Sequence, residues 1–207
     1  MDEENPDCSF SRDEALQNHV GTGKKIRIER DFPSNPDLNG YLLELSPLFG
    51  LMHCFHDFMP DGYTVFRVVD VTACRSGKYE RHWDRMLAGE GLLAGLKVDW
   101  HVDLSSMKMM LESISNQFQR MIIECEEQGE DAEDFYIGQI SSAGESETRF
   151  HHFDALGFWE EEPAVIPYRE IPLIQFETPY LKIFRAANKT TQAMRISFPR
   201  ADRGIFC

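Results

Sequence analysis

The spacing of apolar and polar residues changes several times along the chain, and each change marks an element. Lys24 to Asp31 alternates at period two, with Ile26 and Ile28 on one side and Arg27 and Glu29 on the other, as in a half-buried strand. Before it, Ser11-Arg12-Asp13-Glu14 reads as a capping box that predicts a short helix through His19, stopped at Gly21 and Gly23. After a Pro- and Asn-rich loop from Pro33 to Asn39, strands are expected at Gly40–Leu45, Leu51–Phe58 and Tyr63–Ala73. Gly62, after Asp61, would supply the positive φ of a tight hairpin. Val65 to Val69 is too apolar for a strand facing water and is expected between two packed layers. Tyr79 to Leu87 can form a helix with Trp83, Met86 and Leu87 on one side, and the glycines at 89, 91 and 95 read as a joint.

The pattern then starts again. Leu104, Met107, Leu111, Ile114, Phe118 and Met121 recur at steps of three and four, which predicts an amphipathic helix capped by Asp103 or Ser105. Met121 to Cys125 reads as a strand matching the one at Ile26, and Gln128 to Asp134 is an acidic loop. From Phe135 to Phe184 come Phe135-Tyr136-Ile137-Gly138-Gln139-Ile140, Arg149-Phe150-His151-His152-Phe153, Gly157-Phe158-Trp159 and Ile166-Pro167-Tyr168-Arg169-Glu170-Ile171. The first half has weaker counterparts in Asn39-Gly40-Tyr41-Leu42-Leu43, Cys54-Phe55-His56-Asp57-Phe58, Asp61-Gly62-Tyr63 and Arg67-Val68-Val69-Asp70-Val71. Tyr180 to Ala187 echoes the Tyr79 segment. A repeat of about 90 residues favours two small domains over one large one. The expected fold is mainly β with short helices (α+β): two tandem small barrels, each preceded by a helix. The divisions are a start at 1–9, a first barrel at 10–98, a second at 99–187, and a basic extension at 188–207.

A helix followed by about five bent strands is the order of an Sm-like barrel, a variant of the SH3-type barrel. The succession Ile-Gly-x-Ile, a Phe-rich strand, Gly-Phe-Trp and Ile-Pro-Tyr-Arg-Glu-Ile resembles a group of uncharacterised bacterial proteins expected to fold in this way. The resemblance covers most of Leu104 to Ala187 and, more loosely, Gly21 to Leu87. It implies the fold, carries no catalytic residues, and suggests edge-to-edge association into a dimer.

Aligning Phe58 with Phe153 sets His56 on His151, and Phe158 aligns with Tyr63. Phe58, Phe153 and Phe158 are then expected inside, Trp159 outside, and Gly40, Gly62, Gly138 and Gly157 at backbone-determined positions. A positive φ is expected at Gly157.

A formal charge of −14 opposes approach to phosphate backbones. The five cysteines, Cys8, Cys54, Cys74, Cys125 and Cys207, include no CxxC pair, so neither a zinc ribbon nor a thioredoxin-type motif is indicated. Neither a signal-like apolar start nor a run of about 18 apolar residues is present, so a cytoplasmic setting away from membranes is expected.

No nucleophile elbow, phosphate loop or dinucleotide fingerprint occurs, and no cofactor is expected. His152 and Asp154 share a strand face and could hold a metal if a third ligand came from another loop. That would allow a metal-assisted hydrolase built around His56, His151 and His152. The C-terminal end gathers Lys182, Arg185, Lys189, Arg195, Arg200 and Arg203, a candidate patch for RNA or single-stranded DNA with Phe184 and Phe198 for stacking. Those cations could equally lie on the chain's own acidic surface or a partner copy's. Met194 to Phe198 alternates and could add a strand to an open edge. The favoured expectation is a non-catalytic module that binds a protein partner or itself through strand edges.

Overall fold

The structure, a computed structural model, describes residues 12–31, 37–125, 135–154 and 156–184. Helix α1 (Arg12–Gln17) buries Leu16. Strand β1 (Ile26–Arg30) hides Ile26 and Ile28 and leaves Arg27 and Glu29 half-buried, as its alternation predicts. Strands β2 (Leu38–Leu45), β3 (Phe49–His56) and β4 (Met59–Arg67) form a meander.

The single strand expected from Tyr63 to Ala73 is broken by a 3-10 turn at Val68–Asp70, after which β5 (Val71–Arg75) pairs with β1 instead. The Arg67 guanidinium clamps that turn through the Asp70 carboxylate at 2.6 Å, an interaction the apolar run does not signal. Helix α2 (Lys78–Gly89) buries Leu87, leaves Trp83 half-buried and exposes Met86. The predicted glycine joint instead holds a second 3-10 segment, Leu92–Leu96.

Helix α3 (Met107–Phe118) buries Met107, Met110, Leu111 and Ile114. Its cap is Ser106, whose hydroxyl accepts the Met109 N–H, rather than Asp103 or Ser105. Strands β6 (Met121–Glu124), β7 (Phe135–Ala143), β8 (Glu147–His152) and β9 (Ala164–Pro167) follow. A 3-10 turn at Tyr168–Glu170 leads to β10 (Leu173–Phe176), and a helical turn occupies 179–184.

The ten strands of the described residues join one antiparallel sheet in the order β5-β1-β2-β3-β4-β10-β6-β7-β8-β9. The order β5-β1-β2-β3-β4 recurs as β10-β6-β7-β8-β9, with a 3-10 turn before the last-formed strand of each half. Register repeats as well. Gly40 faces Cys54 and Gly138 faces His152, and each pair of strands has a shift two residues on, at Leu42/Glu44 and at Ile140/Ser142. A Cβ at Gly40 would lie 2.0 Å from the His53 carbonyl oxygen, and one at Gly138 would lie 2.0 Å from that of His151. Both positions therefore exclude side chains through backbone approach. This register sets His53, not His56, on His151, and it displaces the alignment of Phe58 with Phe153.

The sheet is open. Its halves are joined by β4 and β10, from Phe66 opposite Leu173 to Tyr63 opposite Phe176, rather than each closing on itself. Neither is the interior divided by half. Leu173 packs with Ile26, Ile28, Leu42 and Phe66, whereas Ile174 and Phe176 pack with Phe49, Leu51 and Val65 of the first half and Ile114, Met121 and Phe150 of the second. A strand bonded on both edges places its alternate side chains among neighbours from both units. Phe176, fully buried, meets Tyr63, Trp100 and Phe118 with ring centroids at 5.4, 5.5 and 4.7 Å.

Two expectations about inner positions and one about a turn need correction. Phe58 is 39% exposed and stacks on Trp83 at 4.2 Å, because the β3–β4 turn lies at Asp57, where φ is 49°. Gly62 has the expected positive φ, 82°, but within β4, where a Cβ would come 2.7 Å from the Phe176 carbonyl oxygen. Phe158 is 44% exposed, while Trp159 is half-buried against Phe153. The cause is a tight turn: the Asp154 carboxylate accepts the Leu156 and Phe158 N–H groups, and Gly157 takes φ 82°. The turn shifts the inside-outside phase by one residue. Phe153 is buried as expected.

Candidate functional site

The histidine region proposed from sequence is not assembled into one centre. His56 is exposed beside the Asp57 turn. The His151 ring nitrogen Nε2 lies 2.9 Å from the Glu160 carbonyl oxygen, and its ring packs on Trp159 at 4.6 Å. His152 lies edge-on to Tyr136 at 5.0 Å, and the Asp154 carboxylate is committed to its turn. Among the described residues, no group of three or more His, Cys, Asp or Glu side chains is placed to hold a metal ion. Lys189, Arg195, Arg200 and Arg203 lie outside the described residues, as does the Met194 to Phe198 segment. No described helix is long and apolar enough to cross a membrane.

Thiol chemistry finds little support in the geometry. Burial pushes the Cys54 thiol up to about 12, against the opposing effect of its hydrogen bond to the Thr64 hydroxyl at 3.3 Å. Burial alone pushes the Cys74 thiol up to about 11. A thiol acts as a nucleophile only as the thiolate, so neither cysteine is activated near neutral pH.

Sequence reasoning missed two polar groups beneath the first half. In one, Asp84 of α2 accepts the Lys25 backbone N–H at 3.0 Å and the Tyr41 hydroxyl at 2.8 Å, tying helix to sheet. The Lys25 ammonium lies over the Trp83 ring at 4.7 Å, and burial lowers its pKa against the opposing pull of Glu80 and Asp84. In the other, the His53 ring is stacked on Tyr63 at 4.7 Å, edge-on to Phe55 at 4.9 Å, and only 3% exposed. Its Nδ1 has no hydrogen-bond partner among the described residues. Burial first, then the nearby Lys182 charge, holds the imidazole down to about 4. The sequence signal was slight: a histidine flanked by Met52 and Cys54 within the apolar run of β3.

The two ends of the sheet differ in what they can offer a further strand. Arg67 donates its N–H to the Pro172 carbonyl at 3.3 Å, so by alternation residues 63, 65 and 67 face β10. Just after β9, the Tyr168 N–H donates to the Ser146 carbonyl at 2.9 Å, which by alternation turns Val165 and Pro167 away from β8, as it does Pro163 immediately before the strand. Two of the three outward positions therefore lack an N–H. On β5 the register shifts beside Arg30, and Thr72 is the residue left over between Val71 and Ala73. Cys74, opposite Ile28, turns its backbone N–H and C=O outward. Among the described residues, β5 pairs with β1 alone and β9 with β8 alone.

No family model, curated protein or solved structure matches this chain.

Proposed function

We propose that the protein is a non-catalytic interaction module of two Sm-like units whose exposed strand edge recruits a protein partner or a second copy. The junction of β4 with β10 supports this reading, because the chain already joins one five-stranded unit to the next through their edges. Docking is assigned to β5. That strand corresponds to β10, which bears partners on both sides, whereas the outer side of β9 keeps only the Val165 N–H between Pro163 and Pro167. Cys54 and Cys74, with thiols raised by burial, and the described histidines, not grouped into a metal centre, give an enzymatic reading nothing comparable.

Sedimentation of the full chain across a wide concentration range, with tagged-protein recovery of partners, tests the proposal. Self-association or a recovered partner that is lost in Cys74→Pro, with unchanged circular dichroism, is the expected result. A strict monomer that recovers no partner would refute it.

A further inference from the structure

We propose that the 3-10 segment Leu92–Leu96 is a flap over His53 that is released when this histidine is protonated. The reading is independent of edge docking and rests on the packing around one ring. His53 has Tyr63 against one face and Phe55 at its edge, and the Gly95 backbone forms its roof. A Cβ at Gly95 would lie 2.5 Å from Cε1 and 3.0 Å from Nε2, so the roof is as close as glycine alone permits. The Tyr63 hydroxyl fastens it by donating to the Gly95 carbonyl at 2.9 Å. Leu92, Leu93 and Leu96 pack, half-buried, on Tyr41, Phe55 and Leu87. Gly91, at φ 69° with open space around it, forms a pivot at the start of the segment.

Protonation changes this balance. An imidazolium needs acceptors for both N–H groups, and among the described residues Nδ1 has none beneath the roof. The segment itself carries no charge, and the charges nearby are Lys182, which disfavours the cation, and its ion-pair partner Glu177 at 3.5 Å, which acts on Tyr63. The facing groups from β3 and β4 are Phe55 and the uncharged Tyr63 phenol. The closed form therefore binds protons poorly and the open form binds them normally. Closure is fully favoured above the ordinary value of 6.5 and weakens as pH falls toward about 4. The whole interval corresponds to roughly a few hundred-fold in the closing equilibrium.

The repeat supplies an internal comparison. His151 occupies the matching position, but its Nε2 has the Glu160 carbonyl as a neighbour, so a histidine there does not by itself require a roof.

Amide hydrogen exchange of the full chain, corrected for the intrinsic effect of pH, reads the flap directly. Between pH 7 and 4.5, residues 92–96 are expected to lose protection by tens-fold or more while β7 and β8 keep theirs. In His53→Phe, which retains a ring and cannot titrate, the segment should stay protected. Equal loss in His53→Phe, or no loss in the wild type, would overturn the proposal. Gly95→Ala guards against a variant that fails to fold: with the roof displaced, the His53 NMR titration should move up toward 6.5. A midpoint remaining near 4 would also overturn the proposal.

Discussion

Phe176→Ala is the perturbation that most directly tests whether the two halves are one structure. The phenylalanine is fully buried on β10, the strand bonded to both β4 and β6, and it meets rings from β4, from the segment before α3, and from α3 itself. Truncating such a side chain removes its transfer free energy and leaves a cavity, together about 3–5 kcal/mol. Tyr63, Trp100 and Phe118 are held by strand pairing and helix packing, so collapse is restricted and the upper part of that range is expected. For a chain of this size each kcal/mol moves the melting temperature by about 2–4 °C, so a fall of roughly 10 °C or more is expected. Urea unfolding followed by hydrogen exchange reports the halves separately through β2–β3 and β7–β8. Because the cavity lies between them, both should lose protection at the same, lower urea concentration, with an unchanged m-value. If only one half shifted, or the total loss were under about 1 kcal/mol, the shared interior would not be what couples the units.

Further perturbations separate backbone fit, polar anchoring and edge chemistry. Gly138→Ala sets a Cβ against the His151 carbonyl oxygen and should cost more than about 2 kcal/mol by denaturant titration, as should Gly40→Ala against His53. Asp84→Ala leaves the Tyr41 hydroxyl and the Lys25 N–H without their acceptor; a loss of about 2–3 kcal/mol is expected, with α2 exchanging faster than the sheet. Replacing Pro163 by Tyr and Pro167 by Arg, the residues at the matching places of β4, restores two outward donors to β9. Concentration-dependent association by light scattering should then rise above the wild-type level.

Much of the architecture was legible because it rests on local periodicity. The alternation at Ile26 and Ile28, the stripe from Leu104 to Ile114 and the repeated order of elements all reflect side chains choosing water or core. What escaped depends on contacts distant in sequence. Phenylalanines are a poor guide to the repeat, since their number and phase drift between the copies, and aligning on them sets His56 on His151. Gly40 and Gly138 preserve the true phase, because each is fixed by a carbonyl oxygen on the neighbouring strand. An alignment on those glycines gives His53. The turn that exposes Phe158 likewise depends on two N–H groups reaching the Asp154 carboxylate, which hydrophobic patterning does not register.

The same distinction separates the outer edges of β9 and β5, the outermost described strands. A repeated unit inherits the edge that pairs it to the next, and without a change of sequence the second unit would present that edge to any available strand. In β4 the three positions facing β10 are Tyr63, Val65 and Arg67, all with an N–H; the matching positions of the second half are Pro163, just before β9, and Val165 and Pro167 within it. Proline at both flanks removes donors from the outer side while leaving the inward bonds to β8 in place. At the other end, β5 retains Cys74 facing outward but carries a register irregularity that shortens the regular edge. The two described edges are therefore blunted unequally, and under the proposed edge docking an incoming strand is expected at β5 rather than at β9.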